Sequence, residues 1–495
     1  MSNDECRMMG PRRRRLTTRR GVLQCIGAVI ALAVTEVRAD DDGEHFVVIK
    51  AGRVITVSGQ EHAPGTVVIV DGKVRLVGGR EVEVPAGAEV IDAADETVMP
   101  GMVHPRCRYQ LPGYNRRGVH GDLRAADEVY PSLIEFDELL RSGFTAAAFY
   151  PDGAGATGVA AVYRTGGPEG PELILDASYL RVTFNDTGRD KSVLRGALEK
   201  AKKEIEKVDK ARQEWEKKQK EKAEAKKKEE EEKKKQEQQP PPKPAPKSEG
   251  GTSAEPTAGA STAEPDAPAS VQPAAAGFAA PPEKKDDSQA EEPKEDVFTP
   301  PPIDPAHQPF VDLIKKEAKV PPLIELGAAS DLRHLDDVLK PYEDIAHQYY
   351  LGGGFSTDYH HVIADLGERK ARVVIEPRID YLRDSVVRYN VADRLVRSGC
   401  TVAFAPLADW PTEFDRMRRR IADLVRAGLS RQAALKAVTL HPAQAVGLGE
   451  SLGSIEKGKD ADIVFFDTDP LVPESRVTRV MIGGEVVWDR KGESN

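Results

Sequence analysis

The stretch that decides the fold is Thr97-Val98-Met99-Pro100-Gly101-Met102-Val103-His104-Pro105-Arg106-Cys107-Arg108-Tyr109. It begins with an apolar run that Pro100-Gly101 closes, and an alternating segment follows at once. An apolar run that stops at Pro-Gly indicates that one strand ends and another begins. The stretch therefore predicts a junction between two domains.

At this junction the sequence resembles the amidohydrolase superfamily. Members of that family have Pro-Gly, two apolar residues, Asp, any residue, His, any residue and His, and the motif opens the first strand of a TIM barrel. Side chains alternate along a strand with period 2, so the two family histidines point the same way and bind one metal. This sequence has Arg106 and Arg108 at those two positions, and His104 at the position of the Asp.

The two arginines change what the motif can do. Arginine stays protonated in proteins and offers no lone pair to a metal, so the first ligand pair of the family is absent. We still expect Arg106 and Arg108 to reach into the barrel mouth, with His104 on the same parity of the strand. These three residues are therefore predicted as substrate-binding residues, with Arg106 and Arg108 suited to an anionic small-molecule ligand.

Short strands are predicted near both ends of the chain. Residues 45–100 contain runs of Val and Ile that are separated by Ala-Gly, Pro-Gly and Asp71-Gly72, and the last of these is a strong hairpin signal. Residues 448–490 supply further strands, and the segments 453–467 and 480–487 resemble the carboxy-terminal signature of the amidohydrolases. The resemblance implies a small composite β-sandwich built from both chain ends.

The barrel is predicted between these ends, in residues 101–197 and 303–447. Apolar runs typical of buried strands lie at 144–150, 322–326, 371–375 and 401–404, and helical runs lie at 136–142, 389–398 and 413–427. Alternating strands and helices predict a parallel α/β core, and the two segments together have the length of one barrel of about 250 residues. The predicted fold class is α/β, a TIM (β/α)8 barrel beside the composite sandwich.

Residues 198–302 interrupt the barrel pattern. Apolar residues from Leu194 to Trp215 recur every three or four positions, and almost pure Lys, Glu and Gln follow up to Gln239. The next tract is rich in Pro, Ala, Ser and Glu, which cannot bury enough apolar surface to order itself. The pattern predicts a charged helix, of coiled-coil type, and a disordered arm. The helix at 194–239 is a candidate surface for an envelope protein partner, and a homo-oligomer is left open.

The first 39 residues are predicted to be a twin-arginine signal peptide. Thr18-Arg19-Arg20-Gly21-Val22-Leu23-Gln24 matches the motif, a short apolar core follows, and Val37-Arg38-Ala39 ends in a small residue suited to cleavage. The apolar core is too short for a stable membrane anchor, and no other stretch is long and apolar enough to cross a membrane. We therefore expect an exported, periplasmic protein without a membrane span.

The charge and the cysteines set further limits. Removal of residues 1–39 takes away eight Arg and three acidic residues, which moves the formal charge from −10 to −15. Such an acidic protein is a poor candidate for binding nucleic acid or an anionic membrane surface.

Of the four cysteines, only Cys107 and Cys400 remain after cleavage of the signal peptide. Their predicted places at opposite ends of neighbouring strands exclude a disulfide.

The resemblance also implies where the remaining chemistry lies. Amidohydrolases place metal ligands at the carboxyl ends of strands 1, 4, 5, 6 and 8. Here strand 5 has Glu325 where His is expected, no strand 4 Lys can be assigned, and strand 8 has Leu407 at the matching position, with Asp409 two residues further on. Glu325 and Asp409 are the predicted catalytic residues. No residue is predicted as a metal ligand. The family resemblance still allows a divalent metal such as zinc.

The histidines do not rebuild a metal site in this interpretation. His360 and His361 are adjacent and point in different directions on either a helix or a strand. His120 is a further available ligand, and His441 in the last helical segment is predicted to be a packing residue. Two functions follow as hypotheses. The first is an imidazolonepropionase-like hydrolase of non-peptide C–N bonds in cyclic amides. The alternative is a pseudoenzyme that serves as a binding or scaffold protein of the cell envelope.

Overall fold

A computed structural model describes residues 45–185, 187–237, 297–352, 358–382 and 385–492. The expected signal peptide and the Pro/Ala-rich arm from 238 to 296 lie outside these residues.

The two ends of the chain form one seven-stranded sheet. Its amino-terminal strands are β1 (Phe46–Val54), β2 (Gly65–Val70), β3 (Lys73–Gly78) and β4 (Glu89–Pro100). The remaining strands of the chain, in order, are β5 (Met102–Cys107), β6 (Arg117–Val119), β7 (Phe144–Phe149), β8 (Ala154–Val159), β9 (Ala161–Arg164), β10 (Glu172–Leu175), β11 (Leu180–Phe184), β12 (Leu323–Leu326), β13 (Gln348–Leu351), β14 (Arg372–Ile375), β15 (Asp380–Tyr381), β16 (Arg388–Tyr389), β17 (Thr401–Phe404), β18 (Ile463–Phe466), β19 (Val477–Ile482) and β20 (Glu485–Asp489). The order of the terminal sheet is β20-β19-β18-β4-β1-β2-β3.

The middle of the chain forms the α/β core. One sheet has the order β10-β9-β7-β5, and a second has the order β17-β14-β13-β12-β11-β8-β6. Strands β11, β12, β13, β14 and β17 pair in parallel, and so do β5 and β7. Among the described residues no backbone pairing joins β17 to β5, so these two sheets are separate in the hydrogen-bond pattern.

One part of the core differs from the predicted parallel alternation. Strands β8 and β9 follow one another almost directly, and they run antiparallel to β11 and β7, respectively. Gly155 and Gly158 within β8 have φ angles of 97° and 126°, which side chains with a Cβ rarely adopt. The Gly-rich segment thus takes a backbone path that no alternation of apolar residues predicts.

The helices surround these strands. They are α1 (Phe136–Arg141), α2 (Thr187–Glu237), α3 (Gln308–Lys315), α4 (Ala329–Leu339), α5 (Ile363–Glu368), α6 (Val391–Ser398), α7 (Pro411–Arg426), α8 (Arg431–Val438) and α9 (Leu440–Ala445). No helix in the described ranges combines the length and the apolar character that crossing a membrane requires.

The long helix α2 begins seven residues earlier than the apolar spacing indicates. Its first turns are anchored in the core, where Leu198 and Ala201 are buried. Further along, the rings of Trp215 and Phe298 lie 5.7 Å apart, which fastens the helix to the segment before α3. From Lys220 to Glu232 every residue is exposed, as expected for a run of Lys, Glu and Gln.

Two apolar layers lie on either side of the core strands. The layer between strands and helices contains Phe144, Phe414 and Cys107. The inner layer contains Val103, Ala146 and small residues of the facing strands. Cys107 and Cys400 are both buried and unbridged.

Gly101, in the stretch between the terminal sheet and the core, has no room for a side chain. A Cβ at this position would overlap the side chain of Thr145 on the neighbouring strand β7. We expect Gly101→Ala to lower the free energy of unfolding by about 1–3 kcal/mol, because the strands would have to separate. Urea denaturation measures the loss.

Gly196 in α2 is the matched control for this substitution. A Cβ at Gly196 would meet nothing within 4 Å. Gly196→Ala should therefore raise the free energy of unfolding by about 0.5–1 kcal/mol, since Ala favours the helix. Equal effects of the two substitutions would contradict the tight packing at Gly101.

Candidate ligand site at the strand ends

Three charged side chains from separate core strands meet, two from near the carboxyl ends of their strands and Arg181 from the second residue of its strand. Arg106 comes from β5, Arg181 from β11 and Glu325 from β12. Both guanidinium groups donate from Nη2 to the same carboxylate oxygen, Oε2 of Glu325, at 3.0 Å for Arg106 and 2.8 Å for Arg181. The side chains are 18%, 7% and 17% exposed for Arg106, Arg181 and Glu325. We call these three residues the mouth cluster.

Two tyrosine rings hold the mouth cluster in place. The Cζ atom of Arg106 lies 4.7 Å from the ring centre of Tyr150 and 4.2 Å from that of Tyr350. Arg181 lies over the Tyr150 ring at 4.6 Å. Guanidinium groups are attracted to aromatic faces, and the attraction strengthens where water is excluded. The rings thus fix the planes of both arginines toward Glu325.

The environment keeps Glu325 ionised. Burial alone would raise the pKa of this carboxyl, but the charges and hydrogen bonds of Arg106 and Arg181 outweigh burial and lower the pKa. A carboxylate with a lowered pKa is a weak base. The predicted catalytic role of Glu325 therefore gains no support from its electrostatics, whereas a structural role as counter-charge does.

His104 does not face the mouth cluster, contrary to the predicted parity. The pairing of β5 with β7 shifts its register between His104 and Cys107, and Pro105, which has no backbone N–H, lies within this bulge. The His104 ring packs instead against Phe144 and Phe414, at centroid distances of 5.5 and 5.8 Å, in the layer under α7. One extra residue in the strand has turned the side chain to the other face.

Asp409, a predicted catalytic residue, contacts β5 and not the mouth cluster. Its Oδ1 lies 2.9 Å from Nε2 of His104, and its Oδ2 accepts the backbone N–H of Arg108 at 2.9 Å. Nδ1 of His104 accepts the backbone N–H of Arg106 at 3.3 Å, so Nε2 carries the proton and donates it to Asp409. Asp409 therefore fastens the loop after β17 to β5, and makes no ion pair with an arginine guanidinium in the described part of the chain.

The guanidinium of Arg108 is held by backbone carbonyls. Nη1 donates to the carbonyl oxygen of Tyr150 at 2.7 Å, and Nη2 donates to the carbonyl oxygen of Pro112. Oδ2 of Asp152 lies 3.9 Å from Nη2. Arg106 and Arg108 thus both reach the Tyr150 side of the mouth, but only Arg106 contacts Glu325.

His104, Cys107 and Asp409 form a group whose ligand-type atoms all lie within 4.8 Å of one another. The group does not suit a metal as it stands. Both ring nitrogens of His104 are committed to hydrogen bonds, and a metal-bound histidine normally donates its second N–H rather than accepting one. Burial, followed by the nearby charge of Asp409, raises the pKa of the Cys107 thiol and disfavours the thiolate that would bind.

The mouth itself suits a metal no better. Arg106 and Arg181 direct N–H donors at Glu325, and the hydroxyl of Tyr350 donates to Glu376, the other carboxylate at this mouth. Divalent metals need lone pairs, and guanidinium groups supply none. The residues present therefore do not fit the metal that the fold family implies, and no catalytic step is derived through it.

The other histidines lie apart from the mouth cluster. Nε2 of His120 lies 3.1 Å from the carbonyl oxygen of Arg117. The rings of His360 and His361 are 3.9 Å apart in a short turn before α5. His441 packs at the base of the core, with Nδ1 2.7 Å from the carbonyl oxygen of Val402.

Sequence reasoning missed four residues of the mouth: Tyr150, Arg181, Tyr350 and Glu376. Arg181 had a signal, because an arginine in the apolar run Leu180–Phe184 interrupts a buried strand and needs a partner. Glu376 directly follows β14 and accepts a hydrogen bond from the hydroxyl of Tyr350 at 2.8 Å. Burial raises the pKa of Glu376 despite Tyr350 and the charge of Arg378.

Comparisons with known proteins agree on the fold. Residues 393–487 match the sequence profile described as "Amidohydrolase family". An amidohydrolase from Thermotoga maritima MSB8 superposes with a TM-score of 0.62 at 18% identity, over 90% of this chain and 100% of that one.

Curated relatives match over a short segment. The human N-acetylglucosamine-6-phosphate deacetylase is 45% identical over 65 residues, which cover 13% of this chain and 15% of that protein. The imidazolonepropionase of Thermoplasma volcanium is 42% identical over 65 residues, which cover 12% of this chain and 16% of that protein. This chain thus spans about one sixth of the length of these relatives.

Proposed function

Since residues 393–487 carry the amidohydrolase family sequence and the chain has the fold of a solved amidohydrolase, we propose that this superfamily member binds a small organic anion at the mouth cluster. The observation that supports this most is the sharing of one Glu325 oxygen by two guanidinium groups. Two positive charges against one negative charge leave the cluster with a formal surplus of one. An anion supplied from outside would balance it.

Arg106 is the residue best placed to receive the anion. Only its Nη2 is used by Glu325, and within the described residues neither Nη1 nor Nε makes a hydrogen bond. The flanking rings of Tyr150 and Tyr350 hold the guanidinium flat, so little rotamer entropy is lost when a carboxylate or phosphate binds. The ligand would thus lie against the edge of the Arg106 guanidinium that carries Nη1, which has no hydrogen bond among the described residues.

The proposal includes a closed barrel. Asp409, in the loop after β17, bonds to His104 in β5, so the first and last parallel strands are neighbours through side chains. In a closed (β/α)8 barrel Arg106 and Glu325 would lie near the carboxyl ends of the strands, where such barrels bind their ligands.

Hydrolysis of a non-peptide C–N bond is the second candidate function, and Glu376 is the observation that favours it. Its raised pKa makes it a better proton donor or acceptor near neutral pH than Glu325. It lies beside Tyr350, and so faces the same mouth. The curated relatives named above supply the analogy for amide-type substrates, which is a fold-level argument.

Metal analysis and anion binding of the purified protein separate the two candidates. We expect no stoichiometric transition metal, and a rise in melting temperature of about 2–4 °C with saturating glutarate or inorganic phosphate. Arg106→Gln should abolish the rise, whereas Arg333→Gln, which removes an exposed arginine of α4, should preserve it. A protein that holds one zinc per chain and cleaves a cyclic amide would overturn the proposal in favour of the hydrolase.

A further inference from the structure

A cavity of about 850 Å³ opens at the amino-terminal ends of β12, β13, β14 and β17. Arg372 and Thr401, which begin β14 and β17, line it, whereas Glu325 of the mouth cluster lies near the carboxyl end of β12. Its wall combines apolar side chains such as Leu339 and Ile345 with four basic residues and three acidic ones, Asp336, Asp337 and Glu343.

Most polar groups of this wall are already paired. Nδ1 of His347 must donate to the carbonyl oxygen of Ile345, 2.8 Å away, so Nε2 accepts the hydroxyl of Tyr349 at 2.7 Å. Burial lowers the pKa of His347, which keeps this ring neutral. Arg369 donates to both oxygens of Asp336, at 2.6 and 2.7 Å, and to the Tyr349 oxygen at 3.3 Å. These hydrogen bonds hold the side chains of the wall in place, and both carboxylate oxygens of Asp336 already accept from Arg369.

Arg372 lacks a charged partner. Its one hydrogen bond in the described part of the chain is a long one, 3.4 Å from Nη1 to the carbonyl oxygen of Gln444. Among the described residues no carboxylate forms an ion pair with Arg372, or with Lys370, which also lines the cavity. Asp337, also in the lining, is engaged by Lys191 and Arg195 of α2.

A half-buried guanidinium without a counter-charge is costly. Burial is the cause that lowers the pKa of Arg372, and no neighbouring acid offsets it. Proteins keep such groups mostly where a partner neutralises them.

We propose that this cavity is a second binding site, for a small organic anion with an apolar or aromatic body. The anionic group, a carboxylate or a phosphate, pairs with Arg372 and Lys370. The body packs on Leu339, Ile345 and the ring of Tyr342, which also line the cavity. This site is independent of the mouth cluster and of the function proposed for it.

Photolabelling localises the site directly. We expect para-azidobenzoate, after illumination, to label peptides that contain residues 339–349 and 369–372, and excess benzoate to suppress the labelling. Arg372→Gln should reduce labelling of these peptides by about 10-fold, because a charge-assisted hydrogen bond to the anion is lost.

Two controls make the outcome decisive. Neutral para-azidobenzamide should label these peptides weakly, and Arg106→Gln, which acts at the mouth, should leave their labelling unchanged. Equal labelling by the acid and the amide, labelling in Arg372→Gln equal to that of the unaltered protein, or labelling at the Tyr150 peptide alone would each overturn the proposal.

Discussion

Replacing Glu325 by Gln is expected to lower the free energy of unfolding by about 3–5 kcal/mol, because it leaves two buried guanidinium groups without a counter-charge. Arg106 and Arg181 both donate to one oxygen of this side chain, and neither has another carboxylate partner among the described residues. Gln keeps the shape of the side chain and removes the charge. Urea denaturation at neutral pH measures the loss.

The pH dependence gives this prediction a second readout. The pKa of Glu325 is lower in the folded protein than in the unfolded chain, so its contribution to stability is present above the unfolded pKa of about 4.3. That contribution is lost as the pH falls through the lower folded pKa. The stability of the unaltered protein should therefore fall below about pH 4 by an amount that is missing in Glu325→Gln.

Two control variants test the mechanism. Arg106→Met leaves Glu325 paired with Arg181, so it should lower the free energy of unfolding by less than Glu325→Gln does. Glu343→Gln removes an exposed carboxylate and should change the free energy of unfolding by less than about 0.5 kcal/mol. If Arg106→Met proved the more damaging of the two mouth variants, Glu325 would not be the shared counter-charge.

Phe414→Ala is expected to lower the free energy of unfolding by a similar amount, about 3–5 kcal/mol, for an unrelated reason. Phe414 of α7 is fully buried, and its ring meets those of His104, Tyr109 and Phe144 at centroid distances of 5.4–5.9 Å. Truncation leaves a cavity that this ring cluster can fill only in part. The loss should not depend on pH, which distinguishes it from that of Glu325→Gln.

Trp410→Ala is the matched control for this cavity. Trp410 precedes the first residue of α7, and it is 65% exposed, so removal of its ring creates no internal void. Denaturation curves of the two variants should differ by about 3 kcal/mol or more. Similar midpoints would mean that the layer under α7 can close around the missing ring.

The sequence predicted the regular parts of this fold well. Strand β17 begins and ends at the predicted residues, and β7, β12 and β14 differ from prediction by one residue or less at each end. These runs are apolar, short and bounded by clear helix ends, so pattern and structure agree. The strands and helices confirm the α/β class. The profile match and the superposition confirm the resemblance to the amidohydrolases.

The parts that could not be predicted involve long-range pairing. The shift in β5 that turns His104 away depends on how β5 pairs with β7, which its own residues do not reveal. Likewise, the antiparallel β8 and β9 depend on Gly conformations, because Gly adopts many backbone paths without a sequence pattern. Arg181 was missed because its strand was missed, and with it one of the two arginines that share Glu325.

The terminal sheet has a consequence for the time at which the protein can fold. Its strand β4 pairs with β1 on one side and with β18 on the other, and in the second pairing Pro100 lies opposite Ile463. The ribosome must therefore add more than 300 further residues before β4 gains its second neighbour. Until then β4 presents an unpaired edge, which other chains can pair with. Completion of this sheet thus has to wait until β18 has been synthesised.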